Sequence, residues 1–120
     1  MKQLVLVVDD EVLFADSLAQ RLQLRGFDTL VAYNGESALD LFAELLPPLV
    51  VLDLRLPDLD GTDVLARIME QAPKTRVIII TGHGSEEDKK ICMDRGAASF
   101  LNKPVRLGTL VEELKEGEPA

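Results

Sequence analysis

Short apolar segments alternate with amphipathic segments along almost the whole chain of 120 residues. The apolar segments are rich in Val, Ile and Leu, and three of them are almost continuously apolar. Such runs are typical of strands that are covered on both faces. We predict five strands, at residues 4–8, 29–32, 49–52, 77–80 and 99–101.

The segments between these strands repeat their apolar residues at three- and four-residue intervals, which indicates helices with one buried face. Gly26 is expected to end the first helix and Pro47 the second, because glycine favours helix ends and proline cannot continue a helix. Asp60 and Gly61 introduce the third helix. We predict five helices, around residues 14–22, 38–46, 64–68, 85–95 and 107–114.

This alternation predicts an α/β fold, a single doubly wound (βα)5 domain in which one parallel five-stranded sheet carries helices on both faces. We place the domain at residues 1–116 and read residues 117–120 as a tail or the start of a linker. In sheets of this kind the ligand site lies beyond the carboxyl ends of the strands. The polar residues that follow the strands are therefore the candidates for a functional site.

Charge and cysteine content exclude several classes of partner. The net charge of −8 argues against nucleic-acid binding and against an anionic membrane surface. The single Cys92 cannot form an intramolecular disulfide, which favours a reducing compartment. The apolar run at the N-terminus is too short for a signal peptide or a membrane span. We therefore expect a cytoplasmic protein.

Charged and hydroxyl side chains follow four of the five predicted strands: Asp9, Asp10, Asp53, Thr81 and Lys103. An all-oxygen cluster without His or Cys suits a hard cation such as Mg²⁺, or Mn²⁺ in its place. A carboxylate beside such an ion and a lysine can act as a nucleophile toward phosphorus and form an aspartyl-phosphate. This set of side chains therefore favours phosphoryl transfer.

Each residue also has a simpler interpretation when it is taken alone. Asp9 and Asp10 are typical of a helix N-terminus, where a carboxylate caps the helix and suits its dipole. Asp53 could be an ordinary acid at a strand end, and Lys103 could serve only in a structural ion pair. Glu11 is placed in the first helical turn, outside the metal shell.

Four segments together carry a resemblance to a known family. They are V-V-D-D-E at 7–11, V-V-L-D-L-R-L-P-D-L-D-G at 50–61, I-I-I-T-G-H-G at 78–84 and F-L-N-K-P at 100–104. In this order and at these spacings, the chain resembles the receiver domain of bacterial two-component response regulators over essentially its whole length. The resemblance, rather than the periodicity, supplies a flavodoxin-like sheet with strand order 2-1-3-4-5.

The resemblance implies a role for each of the residues at the strand ends. Asp53 corresponds to the phosphoacceptor, which Asp10 and Asp9 support by holding Mg²⁺. Thr81 would bond a phosphoryl oxygen. Lys103 would pair first with Asp53 and then with the phosphoryl group.

Further roles follow from the same resemblance. The backbone carbonyl of Arg55 is implied as a metal ligand, and its side chain, together with His83, occupies a position that modulates the chemistry in this family. Phe100 corresponds to the switch aromatic residue. The Lys103–Pro104 peptide bond is expected to be cis.

The function expected from this resemblance is that of a phosphoaccepting signalling switch and not of an enzyme, although such a domain promotes its own phosphotransfer and autodephosphorylation. The implied partners are a sensor histidine kinase or phosphotransfer protein and, through the surface of helix four, strand five and helix five, an output domain or a second copy. The alternative is a Mg²⁺-dependent phosphatase that forms an aspartyl-phosphate. That class typically has a second Asp two positions after the nucleophile, where this chain has Arg55.

Overall fold

The computed structural model describes residues 2–116, and the four residues 117–120 that were predicted as a tail or linker lie outside this range. The described chain alternates strictly between strands and helices. Its elements are β1 Leu4–Val8, α1 Val12–Leu24, β2 Asp28–Ala32, α2 Gly35–Leu45, β3 Leu49–Leu52, α3 Gly61–Gln71, β4 Arg76–Thr81, α4 Glu86–Asp94, β5 Ser99–Asn102 and α5 Leu107–Lys115.

The five strands form one parallel sheet in the order β2-β1-β3-β4-β5. Val8, the last residue of β1, pairs with Ala32 on one side and with Leu52 on the other. The carboxyl ends of β2, β1 and β3 therefore lie side by side at the same end of the sheet. The predicted α/β fold class and strand order 2-1-3-4-5 are confirmed.

Alternate residues of the strands pack into two hydrophobic layers, one on each face of the sheet, because successive side chains of a strand point to opposite faces. Leu6 and Leu52 pack against α2, α3 and α4 on one face. Val7 and Val51 pack against α1 and α5 on the other face. The nearly continuous apolar runs of the sequence are thus explained by a sheet that is covered on both sides.

The helices end close to the glycine and proline residues that were predicted to stop them, whereas some strand bounds differ slightly from the prediction. Gly26 and Gly96 follow α1 and α4 with φ angles of 94° and 104°, which glycine adopts at little steric cost. Strand β4 extends one residue further at each end than predicted, so that Thr81 is its last residue. Within residues 2–116, no helix combines the length and the hydropathy that crossing a membrane requires.

Candidate functional site

Backbone hydrogen bonds beyond the strand ends fix the main chain of three candidate residues. The amide of Asp9 donates to the carbonyl of Ala32 at 3.1 Å, and the amide of Asp53 donates to the carbonyl of Val8 at 2.9 Å. The amide of Lys103 donates to the carbonyl of Thr81 at 2.8 Å. The sheet itself therefore positions the residues that carry the acidic and basic side chains.

Asp9, Asp10 and Asp53 form an acidic cluster in which one oxygen from each carboxylate lies within 4.8 Å of the others. Asp9 and Asp53 are only 3% and 5% exposed, whereas Asp10 faces solvent. The amide of Arg55 donates to Asp53 Oδ1 at 3.2 Å, so the main chain of Arg55 lies beside the cluster. A cluster of carboxylate oxygens that is open to solvent on one side suits a hard divalent cation, because such an ion keeps some of its bound water.

Burial raises the pKa of the Asp9 carboxyl above its ordinary value. Hydrogen bonds from Lys103 and from the amide of Glu11 partly offset this rise, and the nearby charge of Asp53 adds to it. Two carboxylates that share a nearly buried site repel each other and lose hydration, so positive charge between them is favourable.

Lys103 supplies positive charge to this site, with more partners than the sequence predicted. Its Nζ donates to Asp9 Oδ2 at 2.8 Å, to Glu11 Oε1 at 3.0 Å and to Asp53 Oδ2 at 3.2 Å. It also lies 4.4 Å from the centre of the Phe14 ring. Burial alone lowers the pKa of the Lys103 ammonium, but the hydrogen bonds to Asp9 and Glu11 and the charge of Asp53 outweigh it and raise that pKa.

The placement of Glu11 in the first helical turn was wrong. Glu11 is the N-cap residue of α1, although its side chain makes no capping hydrogen bond. The carboxylate reaches Lys103 instead. Sequence periodicity could not reveal this contact, because 92 residues separate the two partners.

Thr81, Gly84 and Phe100 form a tightly packed group at the end of β4. Thr81 is 1% exposed, and Phe100 is half-buried against the hydrophobic layer that includes α2, α3 and α4. A Cβ atom on Gly84 would lie 2.5 Å from Phe100 Cζ and 2.7 Å from Thr81 Cγ2. The loop between β4 and α4 therefore touches both residues, and the contribution of Gly84 was missed in the sequence.

Arg55 and His83 both line one open cleft, together with Thr81 and Asp88. Both side chains are exposed, and His83 lies in the loop between β4 and α4. The two predicted modulators therefore line the same cleft as Thr81. The Lys103–Pro104 peptide bond, which the resemblance implied to be cis, is cis in the structure.

Asp58 has a structural role that the sequence did not predict. Its two carboxylate oxygens accept hydrogen bonds from the amides of Gly35 and Glu36, at 2.7 and 2.9 Å. These bonds hold the pKa of the Asp58 carboxyl below its usual value. They connect the loop after β3 to the N-terminus of α2, a contact between distant residues that no local pattern indicates.

The fold and the strand-end site define a class of doubly wound α/β domain with an acidic cluster beside a lysine, and comparison with known proteins specifies the family. Residues 5–115 match the model of the response regulator receiver domain. The chain therefore belongs to the receiver-domain family of two-component signalling. The predicted resemblance is confirmed, and the phosphatase alternative gains no support.

Three similar proteins illustrate this relationship. The chain is 34% identical over 111 residues to the transcriptional regulatory protein TrcR of Mycobacterium tuberculosis (strain ATCC 25618 / H37Rv), covering 92% of this chain and 43% of that protein. The CheY-like receiver domain of Methanospirillum hungatei JF-1 superposes with a TM-score of 0.94 at 29% identity, covering 97% of this chain and 93% of that one.

The third is a response regulator of Burkholderia pseudomallei, with a TM-score of 0.89 and 28% identity over 94% of this chain and 66% of that one. Its crystal structure contains a phosphorylated aspartic acid, a calcium ion and citrate. The chain thus spans less than half of the curated relative TrcR and most of the receiver domain protein from Methanospirillum.

Proposed function

We propose that this chain accepts a phosphoryl group on Asp53 from a sensor histidine kinase or a phosphotransfer protein. The observation that carries the proposal is the position of Asp53: a nearly buried carboxylate 3.2 Å from Lys103 Nζ and within the same cluster as Asp9 and Asp10. A carboxylate that is fixed by the sheet and flanked by charge on two sides is suited to phosphoryl transfer. The Burkholderia relative with a phosphorylated aspartic acid supports this assignment.

The same cluster is the proposed site for Mg²⁺, or for Mn²⁺ in its place. Asp9, Asp10, Asp53 and the backbone carbonyl of Arg55 would hold the ion, and this donor set suits a hard cation. When it is bound, the ion supplies neutralising charge for the carboxylates and for an incoming phosphoryl group. The cation in the Burkholderia relative is calcium, which shares this preference for oxygen ligands.

In the transfer itself, one oxygen of Asp53 attacks phosphorus while the bond between phosphorus and the donor's imidazole nitrogen breaks. Lys103 stabilises the charge on the phosphoryl oxygens, and the Thr81 hydroxyl donates a hydrogen bond to one of them. Water later attacks the same phosphorus and releases inorganic phosphate, which restores the Asp53 carboxylate. The domain thereby promotes its own phosphorylation and autodephosphorylation.

Movements of Thr81 and Phe100 transmit the effect of phosphorylation from the site to the surface of the domain. When Thr81 moves toward the phosphoryl group, its contact with Gly84 changes, and Phe100 packs against the same glycine. These movements favour one of two arrangements of the surface formed by α4, β5 and α5. Helix α4 is suited to movement because it buries one side chain, Cys92.

That surface controls an output domain or a partner protein, including a second copy of this chain. Arg55 and His83, which line the same cleft as Thr81, set the lifetime of the phosphoryl group. A cytoplasmic location is part of the same proposal.

Incubation with a small phosphodonor tests this function directly. Wild type should be labelled in the presence of Mg²⁺ and should remain unlabelled when the ion is chelated. Asp53→Asn should remain unlabelled under both conditions. Mg²⁺-dependent labelling that survives Asp53→Asn would refute the assignment of the site.

A further inference from the structure

All three hydrogen-bond donors of the Lys103 ammonium are matched to carboxylates, one each from Asp9, Glu11 and Asp53. Two of these carboxylates belong to the acidic cluster and are almost fully buried. The third, on Glu11, has a side chain that is 64% exposed and lies outside the cluster as defined by its oxygen positions. A further oxygen ligand can bind Lys103 only by displacing one of these three partners.

The Glu11 carboxylate makes no capping hydrogen bond to the helix, although Glu11 occupies the N-cap position of α1. Its own amide instead donates to Asp9 Oδ1 at 2.9 Å. The carboxylate of Glu11 therefore has one strong contact within residues 2–116, and that contact is Lys103.

We propose that Glu11 is a positioning residue that competes with the phosphoryl group for Lys103. This inference rests on the proposed function, in which the cation holds Asp9 and the phosphoryl group is formed on Asp53. Glu11 is then the remaining partner that can hold Lys103 away from the phosphoryl oxygens. It slows phosphorylation, because its negative charge attracts the Lys103 ammonium and draws it away from the oxygens of the transferred group.

The same contact has the opposite effect on the cation. The negative charge of Glu11 draws Lys103 partly away from Asp9 and Asp53, which leaves their oxygens more available to a metal ion. Removal of this charge strengthens the pairing of Lys103 with the two aspartates. Glu11 thus favours binding of Mg²⁺ to the unphosphorylated protein while it restrains the transfer.

The test is the variant Glu11→Gln, phosphorylated by a small phosphodonor over a range of Mg²⁺ concentrations. At saturating Mg²⁺ we expect the phosphorylation rate to rise about two- to fivefold, the range for loss of one ion pair with a partly exposed carboxylate. We expect the Mg²⁺ concentration at half-maximal rate to rise as well. Binding of Mg²⁺ alone, followed by calorimetry, should weaken by a similar factor.

Two further variants separate this effect from a general effect of charge. Glu36→Gln removes an exposed carboxylate near the N-terminus of α2, at the same edge of the sheet, and should leave both quantities unchanged. The second variant is Glu11→Gln combined with Lys103→Gln, compared with Lys103→Gln alone. Because Glu11 acts through Lys103, we expect Glu11→Gln to have a smaller effect on the phosphorylation rate and on Mg²⁺ binding in this background than in wild type.

Each outcome has a defined meaning. An unchanged rate and unchanged Mg²⁺ affinity in Glu11→Gln, with normal Asp53-dependent labelling of wild type, would overturn the role of Glu11 alone. An equal effect of Glu11→Gln with and without Lys103 would also overturn it. Wild type that remains unlabelled would overturn the proposed function and this inference together.

Discussion

Lys103 Nζ lies 3.2 Å from Asp53 Oδ2, although 50 residues separate the two in sequence. The contact exists because β3 and β5 flank β4 in a parallel sheet, so that their carboxyl ends face the same side. Asp9, at the end of β1, also bonds to Lys103, at 2.8 Å. Topology therefore brings together one ammonium and two nearly buried carboxylates, and their charges determine how the site responds to substitutions and ligands.

Replacement of Lys103 should have opposite effects on folding and on cation binding. In Lys103→Gln, Asp9 and Asp53 lose their shared cation, and the free energy of unfolding without metal should fall by about 3 kcal/mol. Mg²⁺ should bind more tightly than to wild type, since Lys103 competes with it for the same oxygens. Urea unfolding with and without Mg²⁺ measures both effects, and Lys89→Gln, on an exposed part of α4, serves as the neutral control. Weaker Mg²⁺ binding to Lys103→Gln would contradict this account.

Gly84 should be intolerant of a side chain. In Gly84→Ala the added methyl group would overlap Phe100 and Thr81, and overpacking of this kind costs about 1–3 kcal/mol of stability. The matched control is Gly82→Ala in the same loop, where the nearest atom to a new Cβ is Lys103 Cδ at 3.9 Å. Chemical denaturation of both variants measures the difference. Equal stabilities would show that the contacts of Gly84 with Thr81 and Phe100 are readily relieved.

Asp58 should contribute to stability in a pH-dependent way. Hydrogen bonds from the amides of Glu36 and Gly35 lower the pKa of the folded carboxyl from 3.8, so the folded state favours the charged form. The stabilisation is fully present above that ordinary value and is lost as the pH falls through the lowered pKa of the folded state. Asp58→Ala should therefore destabilise the protein at pH 7 and have progressively less effect below about pH 4.

Unfolding experiments across this pH range test the role of Asp58. Asp40→Ala, which removes an exposed carboxylate in the middle of α2, is the control for the loss of one negative charge. A destabilisation by Asp58→Ala that is as large at pH 3 as at pH 7 would be inconsistent with a role for the charged form.

Arg55 and His83 should together determine how long the phosphoryl group survives. Their side chains line the same cleft as Thr81, and we expect them to restrict the approach of water to a phosphoryl group that Thr81 contacts. The double variant Arg55→Ala, His83→Ala should therefore dephosphorylate several-fold faster than wild type. Release of inorganic phosphate from the labelled protein gives the rate, with Arg67→Ala on the exposed face of α3 as the control. Equal rates for the double variant and wild type would rule out this role.

The alternation of apolar and amphipathic segments predicted the sheet, because a strand that is buried on both faces is a nearly continuous run of apolar residues. Asp53 and Thr81 could be selected as site candidates because each lies at the end of such a strand. The contacts of Glu11 and Asp58 could not be predicted in the same way. Each depends on a side chain that reaches a distant element, 92 residues away for Lys103 and 23 residues away for Gly35.

The packing of Gly84 illustrates a second limit of the sequence. Its place in T-G-H-G indicates a turn, but the need for a small residue comes from the ring of Phe100 on the neighbouring strand β5. A local pattern specifies the backbone conformation that a glycine permits. It does not specify which side chain occupies the space beside that glycine.

The most direct test of the central claim is to map the phosphorylated residue chemically. After treatment with a small phosphodonor and Mg²⁺, borohydride reduces an aspartyl-phosphate to homoserine, which peptide mass spectrometry locates. We predict homoserine at position 53 in wild type and unmodified peptide when Mg²⁺ is chelated. Homoserine at Asp9, Asp10 or Asp58, with Asp53 unmodified, would contradict the account.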